Sequence, residues 1–292
     1  MLTEAQYVEQ QRSLGRRLHE NDGVWWEEVY PFYCKPAFVY KVIARGAARP
    51  ARRHSWLGYG HLVSRAEEAN RTLPMMVLER DRLEGFGLPK LPSKKRNNVR
   101  RALEKCAVKP ITDLEAQLER LRIINVSQAL RHEQEGGAQI PAKRYTEEAD
   151  SWRAQIRADF SLSGREWWGA FVEGVLAAYL RTFQVDGVRI IQHAKVDADF
   201  YKFYPMDALY FTVLSAAAAD PACTRILNGR PMHPSLNHFK EQFLFAAVDC
   251  PYFSTHAGLM EWGKRMRLRW IGGRRATRTP SASAAKPEVE PS

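Results

Sequence analysis

Trp167-Trp168-Gly169-Ala170-Phe171-Val172-Glu173-Gly174-Val175-Leu176-Ala177-Ala178-Tyr179-Leu180-Arg181-Thr182-Phe183 leads through Gln184-Val185-Asp186-Gly187 into Val188-Arg189-Ile190-Ile191-Gln192-His193-Ala194-Lys195-Val196-Asp197. An Asp-Gly pair between two runs rich in β-branched and aromatic residues predicts a hairpin. Next come Phe203-Tyr204-Pro205-Met206-Asp207 and an apolar run ending in Ala216-Ala217-Ala218-Ala219. Pro205 suits a first helical turn, Asp207 suits the positive end of the helix dipole, and the alanines suit a buried helix. Thr224 to Gly229 reads as a short strand, Ser235 as the cap of a helix reaching Phe243, and Ala246-Ala247-Val248 as a last strand. The predicted order is hairpin, helix, strand, helix, strand. The predicted class is α/β, with a mixed twisted sheet flanked by helices.

Upstream, Leu91-Pro92-Ser93-Lys94-Lys95-Arg96-Asn97-Asn98-Val99-Arg100-Arg101-Ala102 reads as a helix over 94–105, capped by Ser93, with six basic residues around a narrow apolar stripe. Such a helix is ordinarily a solvated face, and is otherwise an electropositive rim for phosphates or an anionic acceptor. Together with Tyr204-Pro205, Asn228-Gly229 and Ser235-Leu236-x-x-Phe239-Lys240, it resembles the GNAT superfamily of N-acyltransferases. Within it, the likeness is to the divergent branch of Fem-type aminoacyltransferases and GNAT-like cell-envelope and polysaccharide acyltransferases. Asn228 stands where that branch often has an acidic residue, and Leu244-Phe245 where it often has a glycine.

The resemblance implies two fused GNAT-like halves, a degenerate one over 1–160 and a second over 161–273. It also implies transfer of an acyl group to an amine of a small-molecule or glycan-like acceptor. The donor is an acyl-CoA or, as in Fem-type enzymes, an aminoacyl-tRNA. The Gln/Arg-x-x-Gly-x-Gly/Ala pyrophosphate signature of simple GNAT enzymes is absent, since the hairpin explains Gln184 to Gly187. Acyl transfer needs a donor to polarise the carbonyl, a base for the amine and an acid for the leaving group. Tyr204 is the candidate proton donor or acceptor holder, His193 the candidate base, and Lys240, at the edge of its helix, a contact for phosphate or carboxylate. Arg100, Arg101, Asn228 and Gly229 are the candidate donor-binding residues. A half-buried structural tyrosine, a lone histidine and a solvated lysine are the ordinary roles of these residue types.

The rest of the 292-residue chain adds bounds. Helices are predicted over 5–20, over 114–130 and over 145–160, and strands over 37–43, 73–79 and 108–111. Trp25-Trp26 and Tyr30-Pro31-Phe32-Tyr33 form an aromatic stretch, suited to core packing or to a substrate platform. The four cysteines are scattered without a Cys-x-x-Cys pair, and His132 and His193 stand alone, so no metal site and a reduced, cytoplasmic setting are expected. The N-terminus lacks a signal-peptide pattern, and no P-loop, G-x-G-x-x-G, G-x-S-x-G or H-E-x-x-H motif occurs. Net charge is +11, with four arginines in 45–53 and seven Lys or Arg in 264–278. That balance suits nucleic acid, an anionic membrane surface or a phosphorylated cofactor. A basic nucleic-acid-binding protein and a catalytically inactive GNAT-like scaffold are therefore the alternatives. The composition of 274–292 predicts disorder.

Overall fold

The computed structural model describes residues 1–134 and 140–256. The tail expected to be disordered, and the seven basic residues before and within it, lie outside the described residues. The strands are β1 (Leu18–Asn21), β2 (Val24–Tyr30), β3 (Tyr33–Pro36), β4 (Gly58–Leu62), β5 (Arg71–Glu79), β6 (Cys106–Pro110), β7 (Arg165–Val172), β8 (Val175–Val185), β9 (Val188–Val196), β10 (Arg225–Leu227) and β11 (Ala246–Ser254). The α-helices are α1 (Glu4–Ser13), α2 (Arg80–Leu83), α3 (Ser93–Lys105), α4 (Leu118–Gln134), α5 (Lys143–Thr146), α6 (Ala149–Phe160), α7 (Pro205–Ala219) and α8 (Pro234–Glu241). Among the described residues no helix is long and apolar enough to cross a membrane.

The strands form one mixed sheet in the order β1-β2-β3-β4-β11-β5-β10-β9-β8-β7-β6. β3 runs parallel to β4 and β9 parallel to β10, and the other named pairs are antiparallel. β5, from the first part of the chain, lies between β10 and β11, so β11 completes the early strands while β5 supports the late ones.

The hairpin at Asp186-Gly187 forms as predicted, both residues at positive φ. The N-terminus ties it down: Leu2 donates its N–H to Gln184 O at 2.8 Å, and Asp186 donates back to Leu2 O at 3.0 Å. β8 is buried along nearly all its length because both faces are covered. Ala178 and Leu180 pack with α3 and α7, while Tyr179 packs with α4 and α6. That alternation divides the core into two layers, one on each side of the sheet.

Several local expectations are corrected. The first helix stops at Ser13, because Gly15 turns left-handed and Leu18 pairs with Glu27 instead. Trp25-Trp26 lies within a strand, whereas 37–43 leaves the ladder after Pro36, and Val42 makes only an isolated bridge to Leu62. The helix expected over 145–160 is two helices. Ser93 is the first helical residue, and Pro92, which has no capping side chain, precedes it. The cap of α8 is His233, whose Nδ1 accepts from the Ser235 N–H at 3.4 Å.

Candidate functional site

β9 and β10 pair only over Val188–Ile190 and Arg225–Leu227. Beyond that the two part. The end of β10 stays with β5: Asn228 donates its N–H to Met76 O and Met76 donates to Gly229 O, both at 2.9 Å. β9 continues to Val196 alongside β8 alone, with Gln192 as an extra residue between the pairs His193–Arg181 and Ile191–Thr182. The result is a gap between two parallel strands, bordered by Gln192 to Val196 on one side and Asn228-Gly229 on the other.

Lys240 reaches this gap from α8. It is 4% exposed, not at a solvated helix edge as its position beside Phe239 suggested. Its ammonium donates to Asn228 O at 2.6 Å. An ammonium carries three N–H donors, and among the described residues no other hydrogen bond engages this one. Burial without a carboxylate partner lowers its pKa to about 8. Asn228 is fixed from its other end, since Nδ2 donates to the Tyr210 hydroxyl at 3.0 Å. Tyr210 is itself buried against Phe239 and Phe243. The Phe239/Phe243 pair faces the core as the helical spacing predicts, and it delivers the lysine.

α7 begins after the 3-10 turn Ala198–Phe203, and Tyr204 makes the join in the left-handed region, at φ 54°. A side chain there costs roughly 1–2 kcal/mol. Arg101, exposed on α3, lies over the half-buried Tyr204 ring at 5.4 Å, so these two candidates meet at the start of α7. Arg100 is exposed on the same helix. Lys95, in the first turn of α3, points inward and donates to Asp207 at 2.7 Å, both side chains being buried. Burial pushes the Asp207 carboxyl up, and Lys95 opposes that. This ion pair holds the start of α7 against α3.

His193 sits apart from them. It is the cross-strand partner of Arg181, whose guanidinium pairs with Asp159 of α6. His193 therefore faces the α4–α6 layer, while Tyr204, Lys95 and Lys240 border the α3–α7–α8 layer. Burial, then the nearby Arg181, Lys195 and Arg165, lower its pKa to about 3, so it is neutral at physiological pH and a weak base.

Next to Gly229 lies a cavity of about 120 Å³, between the end of β10 and the early strands. Its polar lining is Lys35, Arg230, Tyr40, His61 and Tyr252. Burial and then Arg230 lower the pKa of Lys35, and burial raises Tyr40 to about 12. His61 is 1% exposed; Nδ1 lies 3.0 Å from Leu62 O, and Nε2 has no hydrogen-bond partner. Two cations thus face a small space whose lining holds no carboxylate. The sequence does not reveal this cavity, the Lys95–Asp207 ion pair or the Asn228–Tyr210 hydrogen bond, because each joins segments far apart in the chain. Among the described residues no group of three His, Cys, Asp or Glu could hold a metal ion.

Neither a protein-family model nor a curated protein matches the chain. Solved structures do. The crystal structure of FemX is similar with a TM-score of 0.59 at 11% identity, over 87% of this chain and 91% of that one. L-PGS from Bacillus licheniformis is similar with a TM-score of 0.56 at 11% identity, over 94% and 98% of the two chains. The C-terminal domain of a putative lysylphosphatidylglycerol synthetase from Agrobacterium fabrum gives 0.53 at 10% identity, over 87% and 88%. These are likenesses of fold: the chain shares the fold of FemX and of L-PGS.

Proposed function

With that fold as premise, we propose that the protein transfers an acyl or aminoacyl group to an amine of a small-molecule or glycan-like acceptor. The observation that carries the reading is Lys240: a buried ammonium with unengaged N–H donors at the mouth of a gap between parallel strands. A thioester or ester carbonyl entering the gap would meet that ammonium, which favours the oxyanion of the tetrahedral intermediate over the neutral carbonyl. The Tyr204 hydroxyl, at the start of α7, supplies a proton to the leaving group or holds the acceptor. Arg101, with Arg100 on the same helix, suits the phosphates of an acyl-CoA or the backbone of an aminoacyl-tRNA. The backbone of Asn228-Gly229 forms the opposite wall. His193, neutral and on the other layer, is left as a candidate base only for an amine that approaches from that side. The Lys35/Arg230 cavity, one residue beyond Asn228, suits an acidic substituent of the acceptor.

A thermal-shift series with acetyl-CoA, longer acyl-CoAs and aminoacyl-tRNA tests the reading. A selective rise in melting temperature with one donor supports it. Salt-sensitive binding of any oligonucleotide without a donor preference supports a nucleic-acid-binding protein instead. No response to any of these points to an inactive scaffold.

A further inference from the structure

The turn between β2 and β3 and the loop entering β4 place four large apolar side chains in one exposed patch. Tyr30 is 66% exposed, Phe32 40%, Trp56 62% and Leu57 38%. Phe32, Trp56 and Leu57 are contiguous, and Tyr30 lies two residues before Phe32 at the end of β2: Leu57 donates its N–H to Phe32 O at 3.0 Å, and the Phe32 and Trp56 rings lie 5.5 Å apart. Core packing, the ordinary fate of aromatics in such a stretch, does not account for them. Phe32 sits at φ 61°, where glycine or asparagine is the usual occupant, and the Glu28 carboxylate holds the turn by accepting the Phe32 N–H at 2.8 Å. The backbone thus carries strain while presenting a phenyl ring to solvent.

Arg52 and Arg53, exposed in the short helical turn just before Trp56, have no carboxylate partner among the described residues, Arg53 donating its Nε–H to His54 Nε2 at 3.1 Å instead. Aromatic side chains beside arginines that no carboxylate neutralises suit the boundary between water and an anionic lipid surface, where rings enter the headgroup layer and guanidinium groups meet phosphates. A patch this apolar ordinarily marks an interaction surface. The two positive charges beside it, with no carboxylate to neutralise them, set the sign of the partner, and a fluid surface admits a strained turn without needing a matching groove.

We infer that this tip docks on an anionic lipid bilayer, with Tyr30, Phe32, Trp56 and Leu57 in the headgroup layer and Arg52 and Arg53 at the lipid phosphates. The inference is independent of the transfer reading. The test is sedimentation of the full chain with vesicles of phosphatidylcholine alone or mixed with phosphatidylglycerol, at low and high salt. The wild type should sediment with the mixed vesicles, less so at high salt, and little with phosphatidylcholine. Arg52→Gln with Arg53→Gln should weaken binding to the mixed vesicles by roughly thirty-fold. Phe32→Gly with Trp56→Ala should weaken it by roughly tenfold or more while leaving the melting temperature unchanged.

Absence of wild-type sedimentation overturns the inference. So does undiminished binding by both variants, which would assign lipid binding to another part of the chain. A lowered melting temperature in the Phe32→Gly, Trp56→Ala variant would show the patch packed by the protein's own chain. Light scattering that shows a wild-type dimer and a variant monomer would assign the patch to a second copy. Either result also overturns the inference.

Discussion

Replacing Lys240 by methionine separates two consequences of one buried ammonium. Burial lowers its pKa from 10.5 to about 8, which corresponds to roughly 3 kcal/mol of cost to the folded state while the group is charged. Because the folded pKa lies below the unfolded one, the unfolded chain binds more protons between about pH 8 and 10.5, and stability rises with pH across that window. The Lys240→Met variant has no proton there to lose. Near neutral pH it is relieved of the roughly 3 kcal/mol, but it leaves the Asn228 carbonyl without its donor, a loss of about 1–3 kcal/mol. Its stability should therefore lie within about 2 kcal/mol of wild type. Urea unfolding of both proteins, followed by tryptophan fluorescence across this pH range, checks the arithmetic. The difference, wild type minus variant, should climb by roughly 3 kcal/mol between pH 8 and 10.5. Lys35, Lys195 and the buried tyrosines also shift, but they are common to both proteins and cancel in the difference. A flat difference would refute the buried, unpaired ammonium. In a transfer assay the same variant should lose tenfold or more in turnover, ~1.4 kcal/mol of barrier.

Three further outcomes follow from the same geometry. Tyr204→Phe should lower turnover by roughly tenfold with the melting temperature unchanged; full activity in a variant shown to bind donor removes the hydroxyl from the chemistry. Lys95→Met should destabilise by about 3–5 kcal/mol, whereas Lys95→Met with Asp207→Leu should cost under about 1 kcal/mol, measured by denaturant unfolding. Because the Asp207 carboxyl is already pushed up, the single variant's loss should shrink as the pH falls and the carboxyl takes up a proton, and a pH-independent loss contradicts the assignment. His193, with a pKa of about 3, should show no imidazole titration above about pH 5 when followed by NMR against a His193→Gln control, and titration near 6.5 contradicts its placement beside Arg181.

The second part of the fold was legible because its signals are local. The Asp186-Gly187 turn, Pro205 at the start of α7 and the Phe239/Phe243 spacing each specify backbone within a few residues. The early strands were less legible. Trp25-Trp26 and 37–43 have similar β-forming composition, and which of them joins the sheet is settled by the hairpin pairing of Trp26 with Pro36 and by the arrival of β11 beside β4. For the site, the sequence supplied residue types but not their surroundings. Lys240 beside Phe239 reads as amphipathic edge, yet its burial depends on the Asn228 carbonyl twelve residues earlier. His193 shows the same limit: its face of the sheet is set by the extra residue at Gln192, which simple alternation does not reveal.

Hydrogen–deuterium exchange on the full chain, with and without the donor selected by thermal shift, tests the central claim most directly. The account predicts slowed exchange in Gln192 to Tyr204 and in Asn228-Gly229, the two borders of the gap, and loss of that protection in a variant that reverses Arg100 and Arg101 to glutamate. Binding of a donor with protection confined elsewhere, or no protection with any acyl-CoA or aminoacyl-tRNA, would contradict it.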